Sequence, residues 1–259
     1  MTEFRHMMEA SLMPGDVDPL LSCLDSQPTV SIRQHALKAA GELFPGTDTV
    51  PWCPLGRYLD ERPVFTLDPR FHAGAYYVQE ASGMSLWQLG PYLDNITSPR
   101  VLDACAAPGG KSTLLLDLMH GEGLLVSNEV IRTRVPILAE NLAKWGYANV
   151  VVTQNDPADF GKLPEYFDVV VADVPCSGEG LFRKDPDTRK TWSPGLVALC
   201  VARQRRILSD LWSSLRRGGL FLYSSCTLNR MEDEEQIDWI RDHLGVRLLI
   251  GKKKYLPHR

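Results

Sequence analysis

The second half of the chain alternates short apolar runs with longer amphipathic segments, and this alternation constrains the fold most. From Arg100 onward, continuous apolar runs are separated by segments with helical periodicity. Strands that are apolar along their whole length lie in parallel sheets whose two faces are covered by helices. The pattern therefore predicts an α/β domain with a mostly parallel sheet and helices on both faces. The predicted strands are 100–104, 123–127, 149–153, 167–172, 219–224 and 246–250, and the predicted helices are 110–120, 132–145, 196–217 and 232–244, with a long polar loop at 175–194.

The first part of the chain lacks this alternation and is richer in proline. It predicts helices at 16–24 and 79–93, and a strand or a helix at 31–40. We therefore expect a small N-terminal α+β module over residues 1–75, followed by the main domain over residues 76–259.

Composition excludes several classes of protein. The chain has 259 residues, of which 44% are apolar, so it can bury a full core and disorder is not expected. No apolar run is long enough to span a membrane, and Met1–Arg5 lacks the apolar stretch of a secretory signal. Six cysteines without a CxxC pair indicate reduced thiols, which favours a cytoplasmic protein. The net charge of −4 does not indicate nucleic-acid binding, although basic residues cluster in the middle of the chain.

A loop of small residues, 103–112, follows the first predicted strand. Small residues allow a backbone to approach a ligand closely, and the following helix offers free N–H groups. The end of the loop, Gly110–Ser112, is similar to a phosphate-binding P-loop, so a P-loop nucleotide hydrolase is one alternative. Cys105 stands where that motif needs glycine, and Pro108 lacks an N–H that would bind phosphate, which weakens this alternative.

Three further strands end near an acidic residue. Glu129 follows the second strand, Asp156 the third and Asp173 the fourth. A single acid is often a helix cap, but three acids at one edge of a parallel sheet indicate a ligand site. In dinucleotide-type folds, an acid at the position of Glu129 binds ribose hydroxyls. Because carboxylates attract cations and repel phosphates, this rim favours a cationic, phosphate-free adenosine ligand such as S-adenosyl-L-methionine.

Two cysteines occupy the same place relative to two strands. Cys176 follows the fourth strand in 173–178 (Asp-Val-Pro-Cys-Ser-Gly), and Cys226 follows the fifth strand in 224–227 (Ser-Ser-Cys-Thr). Each thiol therefore leaves the carboxyl end of a buried strand, where open α/β sheets bind their ligands. A thiolate that adds to carbon 6 of a cytosine makes carbon 5 nucleophilic enough to attack a sulfonium methyl group. The two thiols, the nearby acid and the methyl donor together predict this chemistry.

These segments resemble the Nop/Sun (NSUN-type) RNA cytosine-5 methyltransferases. The resemblance is carried, in matching order and spacing, by residues 31–38, 72–84, 103–111, 173–178 and 224–227, while 183–186 is most similar to the bacterial ribosomal-RNA branch. The pair of cysteines is specific to the family, whereas the glycine loop alone is not. The resemblance implies a class I methyltransferase (Rossmann-like) fold. It also implies transfer of a methyl group from S-adenosyl-L-methionine to carbon 5 of a cytosine in RNA.

The resemblance also implies roles for individual residues. Cys226 would be the nucleophile that adds to carbon 6, and Cys176 would assist release of the methylated product. Asp173 would contact the cytosine or the reactive end of the cofactor, and Lys111 would orient it. Arg134 would either steady the second helix against the cofactor pocket or be a surface arginine. The pocket would be lined by Cys105, Ala106, Ala107, Pro108, Gly109, Gly110, Lys111, Glu129, Asp156 and Asp173, and we predict no metal site.

The implied substrate is an unpaired cytosine in folded RNA, because removing such a base from its stack costs least. We predict that the N-terminal module contacts RNA and that four basic residues contact phosphates: Arg183, Lys184, Arg203 and Arg206. Chains of this family usually continue past a segment like Tyr255–Arg259 into a last strand. We therefore expect either a piece of a longer protein or a shortened form that needs a partner for RNA. The other alternative is a catalytically silent RNA-binding protein with the same fold.

Overall fold

The computed structural model describes residues 1–13, 15–39 and 41–246 and contains two β-sheets. The first part of the chain forms a four-stranded antiparallel sheet with the order β2-β3-β1-β4. Its elements are α1 (Thr2–Ser11), α2 (Val17–Leu24), β1 (Val30–Gln34), β2 (Thr49–Val50), β3 (Cys53–Leu59), α3 (Pro69–His72), β4 (Tyr76–Val78) and α4 (Gly90–Leu93), with 3-10 helices at Phe65–Leu67 and Ser82–Leu89.

The second part forms a five-stranded parallel sheet with the order β7-β6-β5-β8-β9, which confirms the predicted α/β fold. Its strands are β5 (Arg100–Asp103), β6 (Leu124–Asn128), β7 (Val150–Thr153), β8 (Phe167–Asp173) and β9 (Leu215–Ser224). Its helices are α5 (Gly110–Leu118), α6 (Val135–Trp145), α7 (Thr188–Thr191), α8 (Pro194–Trp212) and α9 (Glu234–Leu244), with 3-10 helices at Pro157–Lys162 and Glu179–Leu181.

Alternate residues of the central strands face opposite layers of helices. On one side Val101 of β5 packs in a core with Leu114 of α5. On the other side Leu102 and Val170 pack in a second core with Leu211 of α8. Because both faces of these strands are buried, their residues are apolar without alternation, which is the pattern seen in the sequence.

The order of the strands reverses at β5. The chain moves outward from β5 through β6 to β7, and then returns to the other side of β5 with β8 and β9. Such a reversal opens a crevice at the carboxyl ends of the central strands. The loops that follow β5, β8 and β9 therefore meet at one edge of the sheet.

The end of α8 corrects one sequence prediction. The helix predicted to reach Arg217 ends at Trp212, and β9 begins soon after it. Phe167 N of β8 donates to Ser214 O at 2.9 Å, and Leu215 pairs with Phe167 in the register of the two strands. This segment therefore joins the sheet although its sequence has helical periodicity, and Arg216 Nη1 lies 2.8 Å from Asp168 Oδ1. The register between β8 and β9 shifts here, and a Cβ at Gly219 would lie 2.9 Å from Asp168 O, a contact that favours glycine.

Other predicted elements differ in detail. The predicted polar loop 175–194 contains both a 3-10 helix and α7, and the predicted helix 79–93 is a 3-10 helix that continues into α4. The sequence predicted either a strand or a helix over residues 31–40. In the structure the start of this segment belongs to β1, which ends at Gln34. The predicted sixth strand, 246–250, lies almost entirely outside the described residues.

Helix α1 and the antiparallel sheet of the first part both pack against the second part. The ring centroid of Phe4 in α1 lies 5.2 Å from that of Phe182 and 5.4 Å from that of Trp192. The antiparallel sheet is joined to α5 by a fully buried ion pair between Arg33 and Asp117. Among the described ranges, no helix is both long enough and apolar enough to cross a membrane.

Candidate active site

The loop after β5 is held by hydrogen bonds to its neighbours. Ala106 N donates to a backbone carbonyl of β6 at 2.8 Å, and Pro108 O accepts from Asn141 Nδ2 at 2.8 Å. Gly109 has a φ of 113°, which a side chain would strain, and α5 begins directly after it. The predicted pocket residues 105–111 therefore lie along the edge of the sheet, where the N-terminus of α5 is also located.

Glu129 lies buried just after β6. Its Oε1 accepts from Ile131 N at 2.9 Å, and its Oε2 lies 3.1 Å from Arg134 Nη1 without hydrogen-bond geometry. Arg134 also donates to Ala107 O in the loop after β5. Arg134 thus connects this acid to that loop.

Asp156, after β7, has a different environment. Its side chain is partly exposed, and its Oδ1 accepts from Ala158 N at 3.1 Å at the start of a 3-10 helix. Arg206 Nη1 of α8 lies 3.3 Å from the same carboxyl group. The contacts of Asp156 are therefore those of a helix cap paired with an arginine.

Asp103 is a residue of this edge that the sequence patterns did not single out. It ends β5 and is fully buried. Its Oδ2 accepts from Ser112 Oγ at 2.6 Å, whereas its Oδ1 has no hydrogen-bond partner among the described residues. Burial raises the pKa of this carboxyl group to about 6. Asp103 and Asp173 end two adjacent parallel strands, and that shared position is the signal that could have identified it.

Lys111 and Asp173 connect the first turn of α5 to the end of β8. Lys111 Nζ lies 2.6 Å from Asp173 Oδ2, and Ser224 Oγ donates to Asp173 Oδ1 at 2.7 Å. Asp173 and Ser224 are partners in the register of β8 and β9. The Asp173 carboxyl group is therefore oriented from both sides at the point where β5, β8 and β9 end.

The two predicted cysteines lie next to each other, with 3.1 Å between their Sγ atoms. Cys226 is exposed and Cys176 is half-buried. A hydrogen bond from the Cys176 thiol lowers the pKa of Cys226, whereas the same bond, together with burial, raises the pKa of Cys176. With Cys176 as the donor of this bond, Cys226 is the more acidic thiol of the pair and Cys176 keeps its proton.

The charged pair and the thiols act on one another. Asp173 raises the pKa of Cys226 and Lys111 lowers it, so both groups lie within electrostatic range of that sulfur. A thiolate placed beside an oriented carboxyl group can add to an electron-poor ring and have the adduct stabilised. Within the described ranges, no group of three or more His, Cys, Asp or Glu side chains is placed to hold a metal ion.

The four basic residues predicted to contact RNA have different surroundings. Arg183 donates to two backbone carbonyls in the segment that follows α2, and Lys184 pairs with Glu80. Arg206 pairs with the acid after β7, as described above. Arg203 is exposed on α8. The side chains of Arg183 and Lys184 thus tie the loop after β8 to the first part of the chain.

Two models of protein families match the chain. Residues 91–254 match the family described as 16S rRNA methyltransferase RsmB/F, and residues 2–81 match the N-terminal domain of 16S rRNA methyltransferase RsmF.

Curated relatives named ribosomal RNA small subunit methyltransferase F are similar to the chain. The protein of Cronobacter sakazakii is 40% identical over 223 residues, which cover 81% of this chain and 46% of the relative. The protein of Escherichia coli O157:H7 is 35% identical over 255 residues, which cover 93% of this chain and 52% of the relative. The chain thus spans about half the length of the curated relatives it matches.

Two solved structures from Pyrococcus horikoshii share the fold. A methyltransferase homolog protein has a TM-score of 0.73 and 28% identity, covering 90% of this chain and 75% of that protein. NSun6 with SFG has a TM-score of 0.83 and 18% identity, covering 97% of this chain and 89% of that protein. These likenesses confirm the class I methyltransferase fold expected from the sequence.

Proposed function

Because the chain belongs to the RsmB/F family of 16S rRNA methyltransferases, we propose that it transfers a methyl group from S-adenosyl-L-methionine to carbon 5 of a cytosine in RNA. Ribosomal RNA is the proposed substrate, and a cytoplasmic location is part of the same proposal. The observation that carries the proposal is the distance of 3.1 Å between Cys176 Sγ and Cys226 Sγ, at the edge where Asp173 is oriented.

The acids at the sheet edge fit a cationic adenosine cofactor. Asp103 Oδ1 is a buried carboxyl oxygen without a hydrogen-bond partner among the described residues, and Glu129 Oε2 lies 3.1 Å from Arg134 Nη1 without hydrogen-bond geometry. Such oxygens suit a ligand that carries positive charge or hydroxyl groups and disfavour phosphate. We assign the pocket to residues 105–111, Glu129, Arg134, Asp156 and Asp173, and we add Asp103. When bound, S-adenosyl-L-methionine supplies a methyl group on a positively charged sulfur.

Cys226 is the proposed nucleophile. Its exposed position supports this assignment over the reverse one, since Cys176 is half-buried. Its thiolate adds to carbon 6 of the cytosine, and the electrons of the carbon 5–carbon 6 double bond move so that carbon 5 can take up the methyl group. After the transfer, water takes up the proton on carbon 5, and the electrons of that carbon–hydrogen bond re-form the double bond between carbon 5 and carbon 6. The bond between carbon 6 and sulfur then breaks, and its electron pair returns to Cys226.

Cys176 and Asp173 have supporting roles in this proposal. The pKa of Cys176 is raised, so at neutral pH it keeps its proton and can donate a hydrogen bond to the departing Cys226 sulfur. Asp173 is held by Lys111 and Ser224, which fixes its carboxyl group for contact with the cytosine ring.

The two parts of the chain have different proposed tasks. We propose that residues 1–75 contact RNA and that residues 76–259 bind the cofactor and carry the chemistry. Separate family matches over 2–81 and 91–254 support a division near this point. The proposed phosphate contacts are Arg183, Lys184, Arg203 and Arg206.

Single-turnover methyl transfer from labelled S-adenosyl-L-methionine to ribosomal RNA tests the proposal. We expect Cys226→Ala to abolish transfer and Cys176→Ala to accumulate a covalent protein–RNA adduct, because the adduct then forms but is not released. Cys200→Ala, in a buried position on α8, is the control that should keep the activity. Full activity of the Cys226→Ala variant would contradict the assigned role. RNA binding without any transfer by the unaltered chain would favour the silent RNA-binding protein, and magnesium-dependent ATP hydrolysis would favour the P-loop enzyme.

A further inference from the structure

Two loops carry the cysteines at the edge of the sheet. We call residues 174–181, which follow β8, the first cysteine loop, and residues 225–233, between β9 and α9, the second cysteine loop. Their main chains are in contact, because Gly180 N donates to Cys226 O at 2.6 Å. A Cβ at Gly180 would lie 2.5 Å from that oxygen, so only glycine permits the two backbones to come this close.

Glu179, in the first cysteine loop, binds the second. Its Oε2 accepts from Thr227 Oγ1 at 2.9 Å and from Leu228 N at 2.8 Å. Its Oε1 accepts from Asn229 Nδ2 at 2.8 Å. Thr227 directly follows Cys226, so Glu179 binds the side chain next to that thiol and the backbone one residue further on.

Glu232, near the end of the second cysteine loop, binds the first loop in return. Its Oε2 accepts from Ser177 N at 3.0 Å and from Gln204 Nε2 of α8 at 2.7 Å. Its Oε1 accepts from Asn229 Nδ2 at 2.9 Å. Ser177 directly follows Cys176. Each loop therefore supplies a carboxyl group that binds the residue after the cysteine of the other loop.

Both carboxyl groups are fully buried, and every donor named above is uncharged. Burying a carboxyl group costs free energy, and apolar side chains of similar volume often stabilise a fold as well or better. Hydrogen bonds, however, fix distances and directions that apolar contacts leave variable. This arrangement is therefore better suited to setting the positions of the two loops than to adding stability.

We propose that Glu179 and Glu232 are positioning residues that lock the two cysteine loops into one rigid unit and hold Cys176 and Cys226 within reach of the same cytosine. The effect on methyl transfer rests on the proposed function, but the relation between the two sulfur atoms does not. Loosening the loops separates the thiols and weakens the hydrogen bond between them. The pKa of Cys226 should then rise toward that of an ordinary cysteine.

The test measures how readily the two thiols form a disulfide with each other. The full chain is equilibrated with mixtures of oxidised and reduced glutathione, and the Cys176–Cys226 disulfide is quantified by mass spectrometry of peptides. One oxidised glutathione takes up two electrons and the two thiol protons and becomes two reduced glutathiones. The equilibrium gives the effective concentration of one thiol near the other. We expect this concentration to fall by about tenfold or more in both Glu179→Gln and Glu232→Gln.

Matched controls come from α9, where Glu234 and Glu235 are exposed in the first turn. Their replacement by glutamine removes a charge close to the second cysteine loop, and it should leave the effective concentration unchanged. Thr227→Val removes the hydroxyl that donates to Glu179 and accepts from Asn229 Nδ2 at 2.6 Å, but it keeps both carboxyl groups and the shape of the side chain. If the glutamate variants do not fold, this milder variant should show a smaller fall in the same direction.

A second measurement separates positioning from stability. A purely structural role would lower the melting temperature without changing the pH at which Cys226 becomes reactive toward iodoacetamide, whereas a positioning role raises that pH. An unchanged or higher effective concentration, together with an unchanged alkylation profile, would overturn the proposal. If the concentration falls but the unaltered chain transfers no methyl group, the positioning role stands and the proposed function fails.

Discussion

Lys111 Nζ lies 2.6 Å from Asp173 Oδ2, so the helix after β5 is joined by an ion pair to the end of β8. The two charges act on the nearby thiol of Cys226 in opposite directions, since Asp173 raises its pKa and Lys111 lowers it. Both side chains are partly exposed, so water screens each effect. The pKa of Cys226 therefore depends on both charges, and removing either charge should change it.

Removing one charge of this pair should move the pKa of Cys226 in a direction set by the charge removed. We expect Lys111→Met to raise it and Asp173→Asn to lower it. The pH dependence of Cys226 alkylation, followed by mass spectrometry of peptides, measures both shifts. The exposed pair Lys162–Asp159 has the same separation of 2.6 Å, so Lys162→Met is a matched control that should change nothing. Shifts of the same sign in the two variants would show that charge is not the cause.

Protonation of Asp103 should control cofactor binding. Burial raises its pKa from 3.8 to about 6, and a bound cation favours the ionised form. The affinity for S-adenosyl-L-methionine should therefore rise between about pH 5 and pH 7. Asp103→Asn should remove this dependence of the affinity on pH and weaken cofactor binding near neutral pH by roughly tenfold. Calorimetric titration with the cofactor across this pH range measures the affinity, and the exposed Asp159→Asn variant is the control. If the affinity of Asp103→Asn still rises over the same pH range, the assignment of Asp103 is wrong.

The same shift affects stability without the cofactor. Because the pKa is raised in the folded state, Asp103 favours folding at acid pH. This contribution is fully present below pH 3.8 and is lost as the pH rises through about 6. The rise of this pKa from 3.8 to about 6 corresponds to at most about 3 kcal/mol in the free energy of unfolding. Cofactor binding should therefore stabilise the fold most where this carboxyl group is ionised.

Charge reversal on α8 should weaken RNA binding without affecting the fold. Arg203 is exposed, whereas Arg183 donates to Gln27 O in the segment that follows α2. We expect Arg203→Glu to lower RNA affinity and to reduce the dependence of log K on log salt by about one unit, at an unchanged melting temperature. Arg183→Glu should also lower the melting temperature, because it breaks contacts within the chain. Unchanged affinity and salt dependence in Arg203→Glu would exclude α8 from the RNA surface.

Sequence patterns located much of this site because strand ends are local features. Apolar runs predicted where β8 and β9 end, and hence the edge where Cys176 and Cys226 lie. They did not reveal Asp103, Glu179 or Glu232, because the role of each depends on burial and on partners from other segments. A carboxyl group in a loop is usually solvated, and only tertiary packing distinguishes a buried one.

The misplaced end of α8 has a similar cause. The segment up to Arg217 has helical periodicity, and local propensity alone extends the helix through it. The structure ends the helix at Trp212, because Leu215 pairs with Phe167 of the neighbouring strand and Phe167 N donates to Ser214 O at 2.9 Å. Contacts between distant segments thus decided the boundary.

A buried ion pair joins the antiparallel sheet to the main domain. Arg33 and Asp117 are both fully buried. Arg33 Nη2 donates to Thr113 Oγ1 at 2.7 Å, and its guanidinium carbon lies 4.7 Å from the centre of the Trp145 ring. Burial lowers the pKa of Arg33 and raises the pKa of Asp117, and the attraction between the two charges opposes both shifts. The attachment of the sheet therefore depends on both partners.

Removing one partner should destabilise the fold more than removing both. Arg33→Met leaves Asp117 buried without its cation, and we expect the free energy of unfolding to fall by about 3–5 kcal/mol. The double variant Arg33→Met, Asp117→Leu should recover part of this loss, because no unpaired charge remains. Arg217 and Glu165 form an exposed pair at 2.9 Å, and Arg217→Met should cost less than about 1 kcal/mol. Urea unfolding followed by tryptophan fluorescence measures all three. If Arg33→Met costs no more than Arg217→Met, apolar packing rather than the ion pair attaches the sheet to α5.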